Sequence, residues 1–136
     1  MQLHAHLTYD GQCEEAFRYY EKHLGGKVEA MMRAEGSPME SNVPAEQRKK
    51  IIHARLKVGD TILMGNDNFM GPYQKPQGFT VTLRVETPIE AERIFAALED
   101  GGAVKMAMNE TFFAKKFGSL VDRFGTPWIV ICEKAM

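Results

Sequence analysis

Three of the four histidines, His4, His6 and His53, sit at alternate positions of apolar–polar runs. Arg55, Thr80, Thr82 and Arg84 fall in the same phase of neighbouring runs. Imidazoles serve as metal ligands and as acids or bases near neutral pH, and guanidiniums grip anions through a planar fork. Gathered on one surface, these groups would suit an anionic or chelating small ligand. Met32, Met106, Met108 and the Trp128 ring, with Phe69 and Tyr73, would supply soft apolar walls, and such mixed pockets are common small-ligand sites. The same alternation also describes a sheet with one solvated face, and core packing is the simpler account of the methionines.

The elements that must carry these side chains can be read from periodicity. Residues 3–9 alternate as a strand, burying Leu3, Ala5, Leu7 and Tyr9 and turning His4, His6 and Thr8 away. A helix begins near Cys13. Its stripe Cys13, Ala16, Phe17, Tyr20 and Leu24 has helical spacing, Glu14 and Glu15 occupy the first turn, and Gly25-Gly26 stop it. Strands follow at 28–34, 51–58 and 61–66. The 51–58 strand buries Ile52, Ala54, Leu56 and Val58 and turns out His53, Arg55 and Lys57.

The order then repeats. Residues 79–85 alternate, burying Phe79, Val81, Leu83 and Val85, and Thr87-Pro88-Ile89-Glu90 reads as a capping box with proline at the first helical position. Ala91, Ile94, Phe95 and Leu98 form the next stripe, which Gly101-Gly102 end. Further strands are expected at 104–111, 117–124 and 128–133. The fold class is therefore α+β, two βαβββ modules; if they curl together into a curved mixed sheet, they share a cavity. The chain reads as one domain, 1–136, with modules at 2–67 and 78–134 and a connecting loop at 68–77. Only the first module carries the insertion Gly36 to Lys49, whose Gly, Ser, Asn and Pro content predicts a mobile loop.

Composition excludes several classes. The 136 residues carry a net charge of −1, without the basic excess of a nucleic-acid binder. The longest apolar run is strand-sized, too short for a membrane helix. The opening MQLHAHLTYD lacks the basic start and apolar centre of a secretory signal. Cys13 and Cys132, without CxxC spacing, predict reduced thiols packed in a cytoplasmic protein. No Walker loop or GxGxxG predicts a nucleotide site.

The doubled βαβββ order and the Gly-Gly helix ends resemble the vicinal oxygen chelate superfamily of glyoxalase, bleomycin-resistance and dioxygenase proteins. Four stretches resemble its PhnB-like branch more closely: YDGQCEEAFRYYEKHLGG (9–26), HARLKVGDTILMGND (53–67), NETFFAKKFGSLVDRFGTPW (109–128) and ICEK (131–134). The resemblance implies a cup of strands from two modules, usually dimeric, often holding a divalent metal. The positions matching the superfamily's ligands are His4, Met64, Thr80 and Val130, or, slipped by two, His6, Asn66, Thr82 and Cys132. Neither set supplies three competent ligands, so no metal ligands are assigned. His53 and Glu110 lie in the PhnB-like blocks and could act as ligand or general acid/base, or serve only as a sheet residue and a strand-end acceptor. The candidate ligand-binding set is thus His4, His6, His53, Arg55, Thr80, Thr82, Glu110 and Trp128. The expected function is small-molecule binding, by a homodimer that covers its open sheet edges, with a metal-assisted lyase, dioxygenase or transferase as the alternative.

Overall fold

A computed structural model describes residues 1–135. They form two compact units, Met1–Gln74 and a second beginning at Lys75. The first contains β1 (Ala5–Tyr9), α1 (Cys13–Leu24), β2 (Lys27–Arg33), β3 (Ile51–Val58) and β4 (Thr61–Asp67). Its sheet runs β1-β4-β3-β2, with β1 parallel to β4 and the other pairs antiparallel. The second contains β5 (Val81–Arg84), α2 (Pro88–Glu99), β6 (Ala103–Asn109), β7 (Ala114–Val121) and β8 (Pro127–Glu133), in the order β5-β8-β7-β6. The β5–β8 pair is again the parallel one. Each unit is a four-stranded mixed sheet with one helix, the α+β, twice-βαβββ architecture that the periodicity implies. No helix among the described residues is long and apolar enough to cross a membrane.

The Gly-Gly helix ends have two separate causes. Gly25, at φ 72°, is the left-handed cap of α1. Helix α2 instead ends at Asp100, and Gly101, at φ 78°, carries the turn after it, in which the Gly102 amide donates to the Glu99 carbonyl at 2.8 Å. Side chains resist both positive φ values. The second glycine of each pair lies against a strand. A Cβ on Gly26 would stand 2.7 Å from the Lys57 carbonyl oxygen, and one on Gly102 would run into the Val121 carbonyl. One glycine turns the chain and the next lets it pass.

The helices start differently. Thr87 Oγ1 accepts from the Glu90 amide at 3.2 Å, and Pro88 occupies the first turn. The Glu90 carboxylate pairs with Arg93. Gln12, at the N-cap of α1, gives no side-chain cap. Asp67, at the end of β4, substitutes for it: Oδ1 accepts from the Cys13 amide at 2.9 Å and Oδ2 from the Ile51 amide at 2.8 Å. The carboxylate is 2% exposed, so a buried charge joins the start of α1 to the start of β3. Beneath α1, Phe17 meets Tyr9 edge-on at 6.1 Å.

Four expectations are corrected. Leu3 and Ala5 are exposed rather than buried. The β1–β4 ladder begins at Ala5↔Leu63, and β4 starts only two residues earlier, after its hairpin. Phe79 is exposed, and Thr80 lies outside β5, because one more step of the β5–β8 ladder would set Thr80 against Pro127, which has no N–H. Strand β7 starts at Ala114 rather than near Phe117, because Thr111 Oγ1 accepts from the Phe113 and Ala114 amides and closes the turn there. In β3 it is Ile51 that is buried, at 1% exposure, while Ile52 turns to the other face. A register shift opposite Met32 and Arg33 supplies the extra residue that reverses the alternation.

Candidate functional site

The first unit carries an open-mouthed cavity of about 610 Å3 on the sheet face away from α1, within the size range of small-molecule sites. Because Leu7, Tyr9, Leu63, Gly65 and Asp67 turn under the helix, the alternate residues His6, Thr8, Met64 and Asn66 face the other way. The register sets Thr8 opposite Asn66 and His6 opposite Met64. Asn66 Oδ1 accepts from the Thr8 hydroxyl at 2.9 Å and lies 3.2 Å from His6 Nε2. Thr8, Asn66 and the bulged Ile52 form the sheet side of the cavity, with Asp67 at its floor.

The insertion forms the opposite wall. Two 3-10 turns, Glu40–Asn42 and Ala45–Gln47, present Met39, Asn42, Val43, Pro44 and Gln47. Arg48 ties the turns together, its Nε donating to the carbonyls of Glu40 and Val43, both at 3.1 Å. Val43 is 8% exposed. The expected mobile loop is therefore a folded wall with an apolar anchor. Asn68, Phe69 and Met70 complete the lining. Lys50 turns its ammonium onto the Asn68 carbonyl at 2.8 Å, 5.8 Å from the Phe69 ring centre.

The chemistry of this lining is neutral. Among the described lining residues there is one carboxylate, Asp67, and both its oxygens already accept backbone N–H groups. The remaining polar groups are a hydroxyl and four carboxamides, which orient a ligand by hydrogen bonding but do not exchange protons near neutral pH. Cys13, beneath the floor, is no nucleophile. Burial, then the Asp67 and Glu14 charges, push its thiol well above the ordinary range.

The candidate residues read from the sequence divide between the two units. His6 touches Asn66 beside the cavity. His53 is half-buried on β3, opposite Met32, and Arg55, on the same strand, pairs with Glu29 at 2.9 Å. His4 precedes β1, with Nε2 at 2.9 Å from Gln2 Oε1. Thr80, Thr82, Glu110 and Trp128 belong to the second unit. Both threonines are exposed. Glu110 meets Lys134 at 2.7 Å, and that hydrogen bond and charge hold its carboxyl below the usual range. Trp128 is 1% exposed, its indole nitrogen donating to Asp122 at 2.8 Å. Asp122 also accepts from the Phe124 and Thr126 amides, so this aromatic belongs to a polar-stapled core. The cavity-lining Asn42 and Gln47 were not singled out in the sequence; Phe69 lines the cavity as the apolar wall it was expected to be, and Asn66, considered only as a slipped metal-ligand position, lines it as an amide. The available signal was the one-sided insertion, with Met39 and Val43-Pro44 set among polar residues.

The superfamily's divalent metal does not fit these residues. In the first matched set Met64 and Val130 bring a thioether and a hydrocarbon, and Val130 is fully buried. In the slipped set Asn66 is engaged with Thr8 and His6, and Cys132 is buried. Among the described residues no three His, Cys, Asp or Glu side chains form a group able to hold a metal ion.

Comparison with known proteins places this architecture. Residues 1–131 match the family model described as 3-demethylubiquinone-9 3-methyltransferase. Protein YjdN of Escherichia coli (strain K12) is 30% identical over 141 residues, spanning 96% of this chain and 94% of its own. The crystal structure of protein PA1353 from Pseudomonas aeruginosa superposes with a TM-score of 0.91 at 44% identity, covering 99% of each chain. The PhnB protein from Bacillus cereus superposes at 0.80 with 24% identity, over 97% of this chain and 99% of that one. A glyoxylase/bleomycin resistance protein/dioxygenase domain from Frankia sp. EAN1pec shares the fold, with a TM-score of 0.66 at 13% identity and 98% of each chain covered. The family match over nearly the whole chain makes this protein a member of the family described as 3-demethylubiquinone-9 3-methyltransferase, with a fold shared by the PhnB protein and the glyoxylase/bleomycin resistance protein/dioxygenase domain.

Proposed function

We propose that this protein binds a small molecule in the first-unit cavity without transforming it. The observation that carries this reading is the lining: a volume of about 610 Å3 with Ile52, Val43, Phe69 and two methionines as walls, and, as polar groups, four carboxamides, the Thr8 hydroxyl and an Asp67 carboxylate whose two oxygens are already held by backbone amides. Such a surface stabilises a ligand by burial and orients it by hydrogen bonding. Methyl transfer, which the family description names, draws no support from the fold. β1 passes to α1 through Asp10-Gly11-Gln12, with one glycine and no Rossmann phosphate loop. Metal-assisted lyase, dioxygenase or transferase chemistry draws none from the donor sets.

The binding reading is tested with Nile red, an apolar dye whose emission rises on leaving water. Saturable binding with one dye per chain is expected, weakened about tenfold or more in Phe69→Ala and Val43→Asp. Absence of saturation, or affinity unchanged in both variants, would refute it.

A homodimer is part of the same proposal. It is supported by the open edge strands β1, β2, β5 and β6 and by the exposed apolar side chains Met106 and Phe112. Light scattering that returned a monomer at micromolar concentration would refute it. The two buried free cysteines support a cytoplasmic location.

A further inference from the structure

We infer that the cavity is selective for an uncharged ligand that carries a hydrogen-bond-accepting oxygen on an apolar body, and that Asn66 recognises that oxygen. The inference rests on the binding reading above and adds the chemistry of the ligand.

A carboxamide can offer either an acceptor or a donor, and its neighbours decide which end faces a ligand. Here Asn66 Oδ1 accepts the Thr8 hydroxyl and faces His6 Nε2. That commitment holds the oxygen toward β1. It leaves the amide nitrogen, with two N–H donors and no protein partner among the described residues, as the polar group Asn66 offers in the cavity. The site thus presents a fixed donor without a positive charge, which matches a carbonyl or ether oxygen.

Charge discriminates in both directions. An anion entering the cavity meets the negative field of Asp67, buried in the floor. Lys50, the neighbouring cation, is occupied by the Asn68 carbonyl and the Phe69 ring and lies outside the lining. A cation finds no uncommitted carboxylate oxygen, since both Asp67 oxygens hold backbone amides, and leaving water without a partner is costly. Neutral ligands incur neither penalty. Met39 and Met70, 49% and 85% exposed, give the walls side chains that repack around different apolar shapes.

The test uses three matched probes: the solvatochromic ketone 6-propionyl-2-(dimethylamino)naphthalene, its 6-propyl analogue lacking the oxygen, and the 6-carboxylate. Each is titrated into the native chain, Asn66→Leu, Asn66→Asp and Thr8→Val. The native chain is expected to hold the ketone about five- to tenfold more tightly than either analogue. Asn66→Leu should remove the preference for ketone over propyl, with propyl affinity preserved. Asn66→Asp, nearly isosteric, should weaken the ketone at least as much, which separates loss of the donor from loss of shape. Thr8→Val, acting through Asn66, should reduce the ketone-to-propyl ratio with the melting temperature little changed. A carboxylate bound as tightly as the ketone, or a ketone-to-propyl ratio unchanged in both Asn66 variants, overturns this inference and leaves the binding reading standing. If none of the three probes saturates the native chain, the binding reading fails with it.

Discussion

Asp67→Asn tests the load placed on one buried carboxylate. In the native chain its two oxygens accept the Cys13 and Ile51 amides at 2.9 and 2.8 Å, and the group is 2% exposed. Hydrogen bonds to a charged acceptor contribute about 1.5–3 kcal/mol each, and an orphaned buried donor costs a similar amount. Asparagine keeps one acceptor but turns an NH2 toward the second backbone N–H, so one bond is lost and two donors face each other. The expected loss is about 2–4 kcal/mol, and about 3–5 kcal/mol for Asp67→Ala, which satisfies neither amide. Either is a large share of the roughly 5–15 kcal/mol that holds a domain of this size. Urea unfolding followed by far-ultraviolet circular dichroism measures the total, and amide hydrogen exchange at Cys13 and Ile51 localises it. Because α1 has no side-chain cap of its own, its first turn should exchange faster while the first turn of α2, capped by Thr87, is unchanged. An Asp67→Asn loss below about 0.5 kcal/mol with both amides still protected would refute the argument.

Three further outcomes are expected. Gly26→Ala should destabilise by about 1–3 kcal/mol, because its Cβ meets backbone at 2.7 Å, and by more than Gly25→Ala, which meets nothing within 4 Å and carries only the left-handed strain of about 1–2 kcal/mol; urea midpoints in the reverse order would refute the division of labour between the two glycines. The Cys13 thiol, raised by burial first and then by Asp67 and Glu14, should resist an aromatic disulfide reagent at pH 8 in the native chain and react on unfolding; prompt native labelling at Cys13, located by mass spectrometry, would contradict it. Glu110 has its carboxyl lowered by the Lys134 hydrogen bond, so any stability this pair adds is present above the ordinary glutamate range and is lost as the pH falls through the lowered value. Lys134→Ala should move that titration upward by carbon-detected NMR, and an unmoved titration would deny the pairing.

The repeat, both helices with their glycine ends, the Thr87-Pro88 start and most of the strands were legible in the sequence, because each depends on residues within a turn or two along the chain. The polar face of β1, with His6 and Thr8 on it, was legible for the same reason. The site itself was not. Ile52 reaches the cavity through a bulge, a property of pairing with β2 rather than of its own alternation. The insertion becomes a wall because the Arg48 side chain reaches the Glu40 and Val43 carbonyls, and loop composition does not encode that closure. Asp67 caps a helix 54 residues away in sequence, and Asn66 is oriented by Thr8 across 58. The sequence by itself determined which stretches become helix or strand, since local sterics and side-chain periodicity act at short range. Only the tertiary structure decided which neutral side chains face one another across a hollow, since hydrogen bonds between residues distant in the chain exist only once the sheet has brought them together.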